Sequence, residues 1–100
     1  MTHISEDIIF RGEIQFGGEL NIDGQVEGKI NSEGTLLINP SARIKADIHV
    51  RQVSIKGNVQ GKLEADLITI LGGGKVHGDM YCSQLQIERG GTHNGTTIMS

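Results

Sequence analysis

The chain repeats one short pattern along almost its whole length. Two apolar residues flank a small residue, with one residue of any type on either side of it, and the unit recurs about every 17 positions. The small residues are Gly12, Gly28, Ala46, Gly61, Gly78 and Gly95, separated by steps of 16, 18, 15, 17 and 17 residues. The last copy is degraded, with His93 and Thr97 in its apolar slots. Self-similarity at a nearly fixed period indicates a solenoid, in which each repeat packs on its neighbours.

Alternation within the repeats predicts β-strands. Residues 20–30 and 53–63 each place apolar residues or glycine at every second position and polar residues between them. Period two buries one face of a strand and exposes the other to water. No stretch follows a helical period, and Asn-Gly or Asp-Gly turn signals are sparse. The pattern therefore predicts one all-β domain, a parallel β-helix of about six coils that is about 29 Å long at the usual strand spacing.

Equivalent positions of stacked coils should form columns, and one outward column alternates in charge. The residues that follow the small slot are Glu13, Lys29, Asp47, Lys62 and Asp79. Opposite charges on neighbouring strands stabilise a pair by about 0.2–1 kcal/mol, whereas like charges destabilise it. The alternation supports the register deduced from the glycines.

A second column is predicted to point inward. It contains Phe16, Ser32, Val50, Ala65, Cys82 and Met99, so its residues are small or medium in the middle and large at both ends. Small side chains suit a narrow closed interior, and large apolar ones suit the end coils. Cys82 is therefore interpreted as a core residue rather than a reactive thiol.

Composition excludes several classes of function. The net charge is −3 and no basic patch dominates, which argues against a nucleic-acid partner. One cysteine excludes an internal disulfide and fits a reducing compartment. The polar, acidic start of the chain does not resemble a secretory signal, and no apolar stretch is long enough to span a membrane. A cytoplasmic location is expected.

Catalytic chemistry finds little support. His3, His49, His77 and His93 share no column and are predicted to lie on solvated outer faces. Residues 72–75 contain three glycines and a lysine but lack the spacing of a phosphate loop, so they are interpreted as a corner. We expect no enzymatic activity, no cofactor and no metal site. A trimeric β-helix enzyme with a zinc site between subunits is the remaining catalytic alternative.

The two ends of the solenoid are the candidate functional surfaces. We expect a short flexible tail at residues 1–7, the β-helix at 8–98 and a C-terminal end at 99–100, so neither tail is long enough for a substantial cap. Uncapped strand edges invite pairing with another chain. The predicted N-terminal interface contains Ile8, Phe10, Ile14 and Phe16, and the predicted C-terminal interface contains Leu85, Ile87, Ile98 and Met99. The alternatives are a monomer whose tails fold back as caps and an adaptor that binds a protein or glycan through an outer face.

With the repeat aligned, the chain resembles the bactofilins, a bacterial family of polymer-forming β-helix proteins. The resemblance covers residues 8–98 and is carried by Val26-Glu27-Gly28-Lys29-Ile30, Val59-Gln60-Gly61-Lys62-Leu63 and Val76-His77-Gly78-Asp79-Met80, with the alternating residues before the first two. It implies a right-handed, three-sided helix that polymerises through both ends without nucleotide, head to head and tail to tail.

The resemblance also implies a cellular role. Bactofilins are cytoskeletal scaffolds in cell shape and appendage formation, and they position cell-wall enzymes or other envelope-associated proteins, also at the inner face of the membrane. Some members begin with a hydrophobic membrane-targeting segment. Here Glu6 and Asp7 follow a start whose only apolar residue after Met1 is Ile4, which argues against direct membrane binding, although Ile8, Ile9 and Phe10 are apolar.

Overall fold

The computed structural model describes residues 2–99, and the side chains of 3–98, as a parallel β-solenoid of about six coils. All strand pairs are parallel, each strand lying beside its equivalent in the next coil. The strands are β1 (Thr2–Ile4), β2 (Ile9–Phe16), β3 (Glu19–Ile22), β4 (Gln25–Ser32), β5 (Thr35–Ile38), β6 (Arg43–His49), β7 (Gln52–Ile55), β8 (Asn58–Ile70), β9 (Lys75–Ile87), β10 (Thr92–Asn94) and β11 (Thr97–Met99). The principal extents of the molecule are 30, 25 and 20 Å.

Each coil contributes to three outer faces, which we name A, B and C. Face A is formed by residues 9–11, 25–27, 43–45, 58–60, 75–77 and 92–94. Face B follows the small residue and is formed by residues 13–16, 29–32, 47–50, 62–65, 79–82 and 96–99. Face C is formed by residues 2–4, 19–22, 35–38, 52–55, 67–70 and 84–87.

Glycine occupies the corner between faces A and B in five of the six coils, at positions 12, 28, 61, 78 and 95. Gly28 has a φ of 127° and Gly78 a φ of 125°, values that side-chain-bearing residues rarely adopt. A Cβ on Gly28 would also collide with the carbonyl oxygen of Gly12 in the preceding coil. Ala46 fills this slot in the third coil. Its φ is not positive, because among residues 2–99 only glycines have a positive φ. The backbone of that coil therefore turns the corner differently.

The interior is a stack of branched apolar side chains, as the alternation predicts. Val26, Ile44, Val59 and Val76 form one fully buried column behind face A, and similar columns lie behind faces B and C. Within the described part of the chain no polar or charged residue is fully buried. β-Branched residues fit the pleated strands, and their burial supplies the main stabilisation of a fold without helices.

The register of the predicted charge column is confirmed at three of its four steps, since Asp47 and Lys62 are not a strand pair, and the three pairs form no close ion contacts. Lys29 pairs with both Glu13 and Asp47, and Lys62 pairs with Asp79. Among residues 2–99 none of these pairs comes within 4.0 Å; Lys62 instead lies 3.4 Å from Glu64 on its own strand. The alternation therefore avoids like-charge contacts and adds little direct attraction.

The register of the predicted inward column is confirmed for its members in strands, while Val50 follows the end of β6 and has no strand partner. Phe16 pairs with Ser32, and Cys82 pairs with Ala65 and Met99. Val50 and Cys82 are buried, with exposed fractions of 3% and 5%, while Phe16, Ser32 and Ala65 are half-buried. The side chain of Met99 lies outside the described residues.

Burial raises the pKa of the Cys82 thiol by desolvating the thiolate. Because the thiolate is the reactive species, Cys82 is expected to react with a disulfide reagent at pH 8 at least tenfold more slowly in the folded chain than in urea. The control is Ser83→Cys in a Cys82→Ser background, which places a thiol on the exposed neighbour. Equal reaction rates for the two folded proteins would contradict the core assignment.

The start of the chain differs from the predicted tail. Thr2–Ile4 form a strand whose residues pair with Leu20, Asn21 and Ile22. The amide of Asp23 donates to the carbonyl of Ile4 at 2.7 Å, and the side chains of His3 and Asp23 are hydrogen-bonded. Without this strand the first complete strand of face C would have an open edge, so the segment completes the first coil.

No helix long and apolar enough to cross a membrane occurs in residues 2–99.

Candidate functional site at the two ends of the solenoid

The N-terminal end exposes one side of an apolar layer. Phe10, Ile14, Phe16 and Ile4 are all half-buried and pack on the core below them. Phe10 pairs with Val26 and Ile14 with Ile30, so these side chains continue the buried columns into the first coil. Three of the four predicted residues, Phe10, Ile14 and Phe16, therefore lie in this layer. Ile4 also belongs to it, although the sequence analysis assigned this residue to a flexible tail.

Ile8 lies at a corner beside this layer rather than within a buried column. It is 43% exposed, and its carbonyl accepts a hydrogen bond from the amide of Gln25 at 3.0 Å. Its neighbour Ile9 pairs with Gln25, points outward on face A and is 63% exposed. These two isoleucines belong to the rim of the end, not to its centre.

The first coil has the backbone of an internal coil. A Cβ on Gly28, Gly61, Gly78 or Gly95 would collide with the carbonyl oxygen of the residue in the same slot of the preceding coil. Gly12 has the same backbone form, with a φ of 136°, but such a Cβ would meet only the Phe10 ring, 3.8 Å away. The space before Gly12 is therefore where a preceding coil would lie. This feature depends on backbone direction, so sequence reasoning could not find it.

The C-terminal end is more polar than predicted. Leu85 and Ile87 pair with Ile68 and Ile70, and Ile87 is 50% exposed. In the other two columns the last coil has His93, paired with Val76, and Thr97, paired with Met80. The apolar layer of this end is therefore interrupted on two of its three sides.

The prediction that His93 lies on a solvated outer face is wrong. Its register with Val76 directs it inward, and it is half-buried, with Nδ1 3.2 Å from the hydroxyl oxygen of Thr97. Its Nε2 atom is buried without a hydrogen-bond partner among the described residues. The degraded last copy of the repeat indicates this inward orientation, because His93 and Thr97 occupy its two apolar slots. His3, His49 and His77 are exposed, as predicted.

Ile98 does not lie in the inward layer of the last coil. It pairs with Tyr81 in the outward column of face B and is 47% exposed. Strand parity explains the difference, because Thr97 continues the buried column of Met80 and its neighbour must point the other way. Of the predicted C-terminal set, Leu85 and Ile87 lie in the layer, and the side chain of Met99 is outside the described residues.

Replacing His93 by valine should restore the apolar column. The variant is expected to raise the free energy of unfolding of the monomer by about 1–2 kcal/mol, because a buried nitrogen without a partner costs about that much. Urea denaturation measures the change. The control is Thr92→Val on the same strand, whose exposed side chain should alter stability by less than about 0.5 kcal/mol. A less stable His93→Val variant would show that the histidine is better solvated than its position indicates.

The described residues include no group of three or more histidine, cysteine, aspartate or glutamate side chains placed to hold a metal ion. The two ends present strand edges, apolar side chains and one histidine–threonine pair.

Comparison with known proteins places this architecture in a family. The chain is 32% identical over 99 residues to bactofilin BacO of Myxococcus xanthus, covering 98% of this chain and 79% of BacO. It is 26% identical to bactofilin BacP of the same organism, of whose length it spans 41%. A solved structure of Thermus thermophilus bactofilin double helical filaments matches with a TM-score of 0.88 at 25% identity, over 97% of this chain and 99% of that one.

The family description agrees with the fold. The sequence model of the bactofilin family, described as polymer-forming cytoskeletal, matches residues 2–97, which is nearly the whole described structure. The match begins at the strand Thr2–Ile4 and so includes the segment that completes the first coil. The chain belongs to the bactofilin family of polymer-forming cytoskeletal proteins.

Proposed function

We propose that this chain assembles end to end into nucleotide-independent filaments that serve as a cytoskeletal scaffold. The observation that carries the proposal is the N-terminal coil. Its corner at Gly12 has the backbone form of the internal coils, and its apolar side chains pack on the core on one side only. Stacking another coil on this end would pair the free strand edge and bury the layer. The filaments of the Thermus relative, which are double helical, support the same assembly here.

Apolar burial and strand pairing can drive such a contact without nucleotide hydrolysis. Ile4, Phe10, Ile14 and Phe16 are half-buried in the single chain, and completing their burial contributes on the order of 1 kcal/mol each. Pairing the open strand edge adds main-chain hydrogen bonds. Neither contribution involves a nucleotide.

We propose that like ends meet, head to head and tail to tail. The two ends differ in chemistry, since one presents four apolar side chains and the other combines Leu85 and Ile87 with His93 and Thr97. Contact between like ends keeps the apolar layer against an apolar layer. It also places the polar His93 and Thr97 of one copy against the same residues of the next, rather than against the apolar layer of the N-terminal end.

The filament would act as a structural rather than a catalytic element. We propose a cytoplasmic scaffold, at the inner face of the membrane, that supports cell shape and positions cell-wall enzymes or other envelope-associated proteins. Partners would bind the outer faces, because the ends are occupied by other copies of the chain.

The proposal is tested by sedimentation of the purified chain in EDTA without nucleotide. Above a critical concentration most of the protein should pellet, and adding ATP or GTP should leave that concentration unchanged. A chain that stays in the supernatant at every concentration would overturn end-to-end assembly and favour the adaptor that binds a protein or glycan through an outer face.

A further inference from the structure

The three outer faces carry different charges. Face A has four basic residues, Arg11, Arg43, Lys45 and Lys75, and one acidic residue, Glu27, which gives 4 − 1 = +3. Face B has the basic residues Lys29 and Lys62 and the acidic residues Glu13, Asp47, Glu64 and Asp79, which gives 2 − 4 = −2. Face C has one charged residue, Glu19, in its second coil. Face C is therefore almost uncharged, whereas face A is positively charged and face B is negatively charged.

Face C is also the most regular of the three surfaces. Its strands run from β1 through β3, β5 and β7 into the last parts of β8 and β9, and its residue ranges contain neither glycine nor a positive φ. The outward positions after Glu19 are asparagine, threonine, glutamine, serine and leucine. Leu37 and Leu67 point outward there and are half-buried. The face is a continuous parallel sheet with two leucine side chains on its outer side.

We propose that face C is the surface through which two filament strands associate side by side, face C of one against face C of the other. The inference rests on the proposed end-to-end assembly, and it identifies the surface through which two such filament strands would contact each other. A contact between identical surfaces closes at two strands, whereas a contact between different surfaces leaves one of each free and continues to grow. The filaments of the Thermus relative are double helical, and an assembly that stops at two strands requires one face that tolerates its own copy.

Charge decides which face that is. Face A against face A would place a charge of +3 opposite +3, and face B against face B would place −2 opposite −2. Lysine and glutamate are also costly to desolvate and are depleted in the centres of interfaces. Face A against face B is attractive but produces open sheets of strands. Face C alone combines self-compatibility with a low cost of desolvation.

The area of face C explains why the pairing needs a filament. A strip about 29 Å long and four residues, or about 13 Å, wide covers roughly 380 Å² per copy. Stable dimers bury roughly 800 Å² on each partner, so two single chains are not expected to pair through this face. In a filament the same contact repeats at every subunit, and the strands associate with the summed affinity of many weak contacts.

The test adds two charges to the centre of face C. In Gln52→Lys/Thr69→Lys both side chains point outward, so the core is untouched. The matched control, Asn58→Lys/Gln60→Lys, adds the same charge to exposed positions of face A. Electron microscopy of the unmodified chain and the control should show double strands, whereas the face C variant should form single strands of half the mass per length. Raising the salt from about 0.05 to 0.5 M should leave the unmodified double strands intact, since their contact is uncharged.

Several outcomes would overturn the assignment. Double strands in the face C variant, single strands in the unmodified chain, or separation of the strands by salt would each contradict a contact through the uncharged face. A folded face C variant without any filaments would place this face in the end contact instead. Failure of the unmodified chain to form any filament would overturn the proposed end-to-end assembly itself. Failure of the face C contact alone would leave filaments in the unmodified chain, so the two failures can be told apart.

Discussion

Phe16→Arg is expected to abolish filament formation while leaving the chain folded. Phe16 lies in the open layer of the first coil, half-buried and packed on the core, and it pairs with Ser32 rather than with a large side chain. An end contact would bury the new guanidinium without a partner, which costs several kcal/mol. The critical concentration for sedimentation should therefore rise at least 100-fold, with circular dichroism unchanged and the melting temperature lowered by a few degrees.

The matched control is Ile9→Arg. Ile9 lies on the same strand but points outward on face A with 63% exposure, so arginine there remains in water. This variant should form filaments at a concentration close to that of the unmodified chain. Normal assembly by Phe16→Arg, or equal loss in both variants, would remove Phe16 from the end contact.

Gly28→Ala is expected to destabilise the fold far more than Gly12→Ala, although both glycines have similar backbone angles. The φ values are 127° and 136°, and strain of this kind costs about 1–3 kcal/mol at either site. The methyl group on Gly28 would in addition collide with the Gly12 carbonyl, whereas on Gly12 it would meet only the Phe10 ring. We expect a loss of about 4 kcal/mol or more for Gly28→Ala, which is in the range of the most damaging single substitutions.

Urea denaturation in a Phe16→Arg background isolates this effect, because that background keeps the chain monomeric. Sedimentation then adds a second distinction in the otherwise unmodified chain. Gly12→Ala should fold but assemble poorly, since its methyl group projects from the N-terminal end into the space of the neighbouring copy. Equal losses of stability in the two variants would contradict the direction assigned to this corner.

The repeat predicts the coil architecture because it constrains every level of the fold at once. The small slot at Gly28, Gly61 and Gly78 sets the register, and alternation then fixes which side chains face inward. The column of alternating charge follows from the same register without further assumptions. Phe10, Ile14 and Phe16 could be placed at an end for this reason, as inward positions of the first copy.

The end coils were harder to predict, because at an end the repeat has a neighbour on one side only. Thr2–Ile4 are too few residues for alternation to mark them as a strand, and their place is decided by pairing with β3. At the other end hydrophobicity favours Ile98 over Thr97 as the inward residue, whereas register with Met80 directs the threonine inward. Likewise His93 is inward because Val76 is, whatever its polarity. The direction of the missing side chain at Gly12 depends on φ, which a sequence pattern does not contain.

Cryo-electron microscopy of the purified chain, prepared without nucleotide or metal, tests end-to-end stacking most directly. If the ends stack, images of the filaments should show a meridional repeat of about 4.8 Å from the coils and a subunit spacing of about 29 Å along each strand. Discrete particles, or filaments whose subunits touch through an outer face and repeat at a shorter distance, would contradict assembly through the end coils.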